Sequence, residues 1–524
     1  MTTLVPSGSL RAVQAVAATA DQLATQAAMA MYDRGGNAVD AAIAANAAIA
    51  VTGPHLCGLG GDLFALVRDP DGDVHALDAS GRAGSGADAA ALRADGFDTM
   101  PMRHDIRAVT VPGCVDGWMA LHERFARLDL ATVLAPATRL AADGFLASPL
   151  LAASVELLDE RGRQQLAELA EQAVAPARPV RRPGVALTLQ AIATGGRRAF
   201  YEGAFGEGLV ALGDGWFSDV DLATVQADWV DPLTADAFGV RLLTMPPASQ
   251  GYLALGAARL VDTLELPDDA DDAAWAQMLV AASIVASSDR PDVLHDRADG
   301  AALVAAIEAR ADEVDRRRAG AGSVPAADGD TTYLCTADAS GFAVSLIQSN
   351  ASGFGSWLAE PTTGINLHNR GLGFSLQPDH PAELAPGRRP PHTLVPVLAT
   401  RDGELAAVLG SMGGDAQPQI VLQLAARLFG HRASPAGAVN APRFVLRGPQ
   451  TGFDTWSSRR PPIVAVEAHA PSTWRTALSA IGHEVDVVAS FDSRFGHAHV
   501  ITTEAGGFAV AADPRARIGS AAGV

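Results

Sequence analysis

The chain has 524 residues, enough for a large buried core, and its 48% hydrophobic and 19% charged residues are globular rather than disordered in balance. A formal charge of −20 with no basic stripe excludes an ordinary nucleic-acid-binding surface. All 39 basic residues are arginine, which removes phosphate-loop, Schiff-base, serine–lysine and kinase-type lysine chemistry together.

The amino-terminal MTTLVPSGSLRAVQAV lacks the basic start and apolar core of a secretion signal, so the expectation is a soluble cytoplasmic protein. Residues 20–52 predict two helices separated by Gly35 and Gly36, with Asn37 capping the second. The apolar run Ala41–Val51 is interrupted by Asn46 and is too short to span a bilayer. CGLGGDLFALV, the turn Asp69–Gly72 and VHALDAS then predict a β-hairpin. From Pro136 to Pro267 the pattern is mainly helical, with loops at 178–184 and at MPPASQG, and the DDADD stretch ending at Asp272 predicts a solvated loop or helix start. Residues 310–330 pass from a charged helix end into a Gly/Ala/Pro/Ser linker. Thr331 opens a strand, TTYLCTAD, followed by a turn and a second strand, FAVSLIQS. A linker abutting a buried strand is where a nick releases a new terminus without dismantling the core.

Three cysteines (Cys57, Cys114, Cys335) are too few and too widely spaced for a disulfide framework or a zinc site. His497 and His499 have a ligand-like spacing but no third partner, and GSMGG and GLGGDL fail as a nucleophile elbow and a dinucleotide fingerprint. Neither metal nor cofactor is expected.

Several motifs, in order, carry a resemblance: GGNAVDAAIAANAAIAV, GLGGDLF, VPGCVDGW, DTTYLCTADASGFAVSLIQSNASGFGS, LGSMGGDAQPQ, APRF and ADPR. Together they resemble the gamma-glutamyltransferase family of N-terminal-nucleophile hydrolases over essentially the whole chain. The resemblance implies an α+β fold, a four-layer α/β/β/α sandwich. It also implies a proenzyme cut between Asp330 and Thr331 into residues 1–330 and 331–524, which pair as a heterodimer within one composite domain; whether heterodimers pair further is left open by the sequence. Thr331 would be the nucleophile and its freed α-amine, with a pKa near ~8, the base. Ser349 takes the place of a hydroxyl bonded to the nucleophile, and Gly413 and Gly414 match the oxyanion-hole pair.

The recognition residues depart from the family. Ser80 stands where glutathione-cleaving members have a carboxylate-binding arginine, and Arg82 is a replacement if the strand continues that far. His368 replaces an asparagine, Arg370 and Gly373 replace residues that hold an α-ammonium, His392 and Thr393 replace paired serines, and Ala351 replaces an asparagine next to Asn350. Arg370 facing an α-ammonium at ~4 Å would cost roughly 4 kcal/mol at an effective dielectric near ~20. The implied substrate is a small-molecule amide, either a γ-glutamyl compound or an amide with an anionic glutaryl- or oxamate-like acyl group. Neither nucleic acid nor membrane is an expected partner. A relative without activity, kept as a binding scaffold, is the alternative from another class.

Overall fold

A computed structural model describes residues 6–173, 178–318, 330–447 and 462–524. Two seven-stranded sheets, antiparallel throughout their paired strands, lie at its centre. In spatial order the first contains Ser520–Gly523, Ala15–Thr19, Asp330–Asp338, Ala343–Ala351, Asp62–Arg68, Val74–Ala79 and Asp228–Val230. The second contains Leu10–Ala12, Gly507–Ala512, Ala498–Glu504, Glu404–Ser411, Val397–Arg401, Val240–Thr244 and Leu233–Ala237.

Strand periodicity explains the layering. Alternate side chains of a strand leave opposite faces. Phe64, Leu66, Tyr333, Cys335 and Ile347 pack on Leu243, Leu398, Val408 and Ile501 to form the apolar layer between the sheets. The other face of the first sheet buries Leu63, Ala65, Leu334 and Leu346 against helices that include Gln22–Tyr32, Ala38–Thr52 and Cys114–Phe125. The second sheet is covered by Gly251–Asp262 and Gln417–Ala425, with Ala273–Ser287 behind them. This is the four-layer α/β/β/α sandwich.

Local chemistry sets the element ends. Asn37 caps the helix Ala38–Thr52 through the N–H groups of Val39 and Asp40, while Asp40 accepts from the Asn37 N–H at 2.9 Å, a complete capping box. Every residue of that helix is buried. Its one amide, Asn46, bonds Gln348 Oε1 at 3.0 Å and accepts from Trp118 Nε1 at 2.7 Å. Gln348 in turn donates to the Gly58 carbonyl and to Cys114 Sγ. Residues of three separate sequence motifs therefore converge behind the strand Ala343–Ala351 and are satisfied there, as burial requires. Asp272 caps the helix Ala273–Ser287. No helix among the described residues is long and apolar enough to cross a membrane.

The predicted hairpin is present as Asp62–Arg68 paired with Val74–Ala79. The mainly helical reading of 136–267 misses five strands, the two-residue Phe145–Leu146 and Pro179–Val180 and the sheet strands Asp228–Val230, Leu233–Ala237 and Val240–Thr244. They are short, and Asp228, Asp236 and Arg241 face outward, so they lack a continuous apolar run. A helix, Ala311–Arg318, ends before the predicted linker, whose residues 319–329 lie outside those described.

Candidate active site

Register brings the hydroxyl residues together. Thr331 lies opposite Ser349, and Ser349 lies opposite Asp62 on the next strand. Directly opposed residues of an antiparallel pair share a face, so these three side chains form one row on the face turned toward the other sheet. Thr331 Oγ1 donates to Ser349 Oγ at 3.1 Å. Ser349 Oγ also accepts from Arg370 Nη2 at 2.9 Å and from the Ala351 N–H at 2.8 Å. Thr332, one position on, belongs to the opposite face, and its Oγ1 has no hydrogen-bond partner among the described residues.

The peptide between Asp330 and Thr331 sits at an irregularity. Asp330 faces Ala351 while Thr331 faces Ser349, so Asn350 is an extra residue in its strand. Ala351 there has φ +74°, a left-handed conformation uncommon for alanine. The bulge carries the Ala351 N–H onto Ser349 Oγ.

Arg370 begins a short 3-10 turn, Arg370–Gly373, and its side chain is only 2% exposed. Nη1 bonds Thr393 Oγ1 at 3.1 Å, as Nη2 bonds Ser349. Burial pulls the guanidinium down to about 10 while Asp62 and Asp415 oppose the fall, so it stays charged at neutral pH. Arg370, Thr393, Asp415 and Arg290 line one end of a cavity of about 350 Å³. Thr331 and Ser349 are not on its wall; Ser349 lies one hydrogen bond and Thr331 two hydrogen bonds behind Arg370, and both are fully buried in the unbroken chain.

Beneath Arg370 is a group that sequence reasoning did not single out. Asp62 accepts from the Gly81 N–H at 2.9 Å and the Gly113 N–H at 3.3 Å, with His392 Nε2 at 3.2 Å and His368 Nδ1 at 3.5 Å. Burial alone would raise its pKa, but His368, His392 and Arg370 outweigh that and hold the carboxyl near 2. The available signal was an acid, Asp62, opening an otherwise apolar strand in GLGGDLF. The glycines of that motif allow close approach: a Cβ at Gly61 would lie 2.6 Å from the Ser349 carbonyl oxygen.

His392 is fully buried and its pKa is lowered to about 3, chiefly by burial. Its folded value is below the ordinary ~6.5, so the stability it contributes is complete above pH ~6.5 and is lost as pH falls toward 3. Over that window wild type should lose about 1.4 kcal/mol per pH unit more than His392→Asn. Thermal melts at several pH values read the slope, and parallel profiles would refute a neutral buried imidazole.

Gly413 and Gly414 follow the strand Glu404–Ser411, with φ +143° and +52°. Neither N–H donates to an acceptor among the described residues. Gln250, from the predicted loop MPPASQG, donates through Nε2 to the carbonyls of Thr393 at 3.0 Å and Gly414 at 3.1 Å. It thereby ties the arginine-binding threonine to the glycine pair. Reading that segment only as a loop missed this role.

Three predicted recognition residues are placed elsewhere. Arg82 does not reach the cavity: the strand Val74–Ala79 ends before it, and its guanidinium bonds Asp228 at 2.5 Å and the Val225 carbonyl at 3.1 Å. The buried Ser80 hydroxyl turns onto Asp78 at 2.6 Å. Asn350 points to the back of the sheet, where Nδ2 donates to the Pro54 carbonyl at 3.0 Å. His392 faces Asp62 and packs against Phe64 with the two rings tilted, because it and Thr393 leave an extended segment in opposite directions. Of the predicted set, Thr331, Ser349, Arg370 and Thr393 form one hydrogen-bonded series.

A two-sheet antiparallel sandwich between helical layers is the fold of the N-terminal-nucleophile hydrolases. The sequence profile described as gamma-glutamyltranspeptidase matches residues 24–524, and the chain belongs to that family of hydrolases. An oxamate amidohydrolase proenzyme from Klebsiella pneumoniae is 36% identical, over 96% of this chain and 97% of its own. A glutathione hydrolase-like proenzyme from Bacillus subtilis, YwrD, is 32% identical over 96% and 97%. The crystal structure of a cephalosporin acylase from Bacillus halodurans superposes with a TM-score of 0.89 at 31% identity, covering 100% of this chain and 98% of the other.

Proposed function

We propose that this chain is a proenzyme that cleaves itself between Asp330 and Thr331, and that Thr331 then hydrolyses amides of short, anionic acyl groups. The observation that carries this reading is the series Thr331–Ser349–Arg370–Thr393, in which the threonine hydroxyl stands two hydrogen bonds from a buried, charged guanidinium. In the precursor the Thr331 hydroxyl adds to the Asp330 carbonyl, the peptide nitrogen leaves as the α-amine, and water opens the resulting ester. That amine then takes the hydroxyl proton as Thr331 attacks a substrate carbonyl and returns it to the departing amine. Water releases the acyl group and restores Thr331.

The two pieces stay together because the strand beginning at Asp330 is central. It pairs with Ala15–Thr19 from the amino-terminal piece and Ala343–Ala351 from the other. Separating the pieces would expose the layer between the sheets.

Distance argues for a short acyl group. The 3.1 Å and 2.9 Å legs put Arg370 Nη2 no more than 6.0 Å from Thr331 Oγ1. A carboxylate held by the arginine and a carbonyl carbon at ~3–3.5 Å from the hydroxyl then leave room for no more than about one carbon between them. A glutaryl chain, about 5 Å from end carbon to end carbon when extended, overshoots. The relative named for oxamate, whose carboxylate adjoins the amide carbonyl, fits this span. A γ-glutamyl group would bring its α-ammonium toward Arg370, which is unfavourable.

Amino-terminal sequencing and a denaturing gel test the first half: active material should contain two pieces, one beginning Thr331-Thr332-Tyr333. A fully active, uncut chain would remove the mechanism, and an inert uncut chain would favour a scaffold. A panel sharing one amine should rank oxalyl and malonyl amides above glutaryl and γ-glutamyl amides. Gly413→Ala tests the oxyanion contribution. A side chain at φ +143°, with its Cβ 2.9 Å from Ile420 Cδ1, displaces the N–H pair. The result should be a roughly hundredfold fall in kcat with little change in KM.

A further inference from the structure

The cavity beyond Arg370 is larger than the proposed acyl group needs, and its walls change character with depth. Its buried end is polar, formed by Arg370, Thr393 and Asp415, which are 2%, 3% and 1% exposed. Asp98, Thr99 and Gln377 are exposed and mark the end that opens to solvent. Met100, Met102, Leu294, Leu372, Phe374 and Leu376, all buried or half-buried, form the apolar part of its wall, with Ser375 and His380 beside them. Resting on the proposed function, we propose that this apolar section is the subsite for the amine half of the substrate, and that this half is an alkyl or aryl amine rather than ammonia.

The acyl group is the part that reaches the Arg370–Ser349–Thr331 series, so it enters first and occupies the polar end. The amide nitrogen and its substituent then trail toward the mouth, past the methionine, leucine and phenylalanine side chains. Ammonia has the size of a water molecule, which takes up about 30 Å³, and would leave most of the roughly 350 Å³ cavity unused. An apolar substituent removes both its own surface and that of these side chains from water. Methionine and leucine also adapt to substituents of different shape. Burying about 100 Å² of ring surface at ~25 cal/mol/Å² corresponds to roughly a fiftyfold gain in kcat/KM. Thr393 and Arg370, at the polar end, are where an anionic substituent would be drawn, so charge on the amine half would compete with the acyl carboxylate for the same guanidinium.

The test holds the acyl group constant and varies only the amine. Purified, matured protein is assayed with the N-methyl, N-butyl and N-benzyl amides of oxalic acid; methylamine and butylamine are matched as leaving groups, and the better leaving ability of benzylamine is separated by reading KM apart from kcat. The expected result is a rise in kcat/KM from methyl to benzyl by tens-fold, carried mainly by KM. Met102→Gln and Leu372→Gln should each shrink the benzyl-to-methyl ratio toward one. Equal rates across the series, with a Thr331 terminus present, would overturn the subsite while leaving the proposed function intact. Absence of turnover for every amide, or active protein without that terminus, would overturn the underlying reading and this proposal with it.

Discussion

Thr331→Ala should persist as one 524-residue chain and lose amide turnover by at least about four orders of magnitude, whereas Thr332→Ala should mature and work. The contrast rests on sheet geometry, since the two hydroxyls are neighbours in sequence. Thr331 shares a face with Ser349 and Asp62 and bonds Ser349 Oγ, whereas Thr332 faces the helical side with no partner for its oxygen among the described residues. Loss of cleavage and loss of turnover have one cause in Thr331→Ala, because the same oxygen performs both attacks. Folding should be spared. Ser349 keeps its contacts with Arg370 and the Ala351 N–H, so the unfolding free energy should change by no more than about 1.5 kcal/mol. A denaturing gel, a thermal melt and a steady-state assay on each variant separate these effects. Thr331→Ser, which keeps an oxygen at the same place, should retain cleavage at a reduced rate. Cleavage of the alanine variant at the same bond would show that another group attacks Asp330.

Legibility differed between the reacting atoms and their surroundings. Strand alternation and turn residues were enough to find the hairpin Asp62–Ala79 and the strands Asp330–Asp338 and Ala343–Ala351, because buried strands display their period directly. Resemblance assigned Thr331, Ser349 and the glycine pair. Recognition residues were harder because they depend on where a strand stops and which way a loop faces. Arg82 was assigned on the condition that its strand continued, and it stops at Ala79. Arg389, absent from the predicted set, fills part of that region instead, bonding Asp78 at 2.6 Å and Asp228 at 2.8 Å. The sequence presents His392 and Thr393 as a pair, but extended backbone sends one to Asp62 and the other to Arg370. Gln250 and Asp62 act on residues remote in sequence, and nothing in their own neighbourhoods announces those contacts.

Arg370→Met should reduce kcat/KM for an oxalyl amide by about a thousandfold while changing that for the neutral acetyl amide by less than about tenfold. An ion pair at ~4 Å with an effective dielectric near ~20 is worth roughly 4 kcal/mol, and the guanidinium keeps its charge because about 10 is well above neutral pH. Methionine fills a similar volume but leaves the Asp62 carboxyl beneath it without the guanidinium, so the attraction for the substrate carboxylate is removed. Arg370 has a second contact, its 2.9 Å bond to Ser349, which makes an alternative outcome informative. If the arginine only positions that hydroxyl, the oxalyl and acetyl amides should decline together and self-cleavage should slow with them. Unequal decline with normal maturation isolates the charge. Arg370→Lys sharpens the distinction: it retains the positive charge but lacks the planar fork that reaches Ser349 and Thr393 at once. The lysine variant should therefore keep much of the preference for the anionic amide while both amides react more slowly.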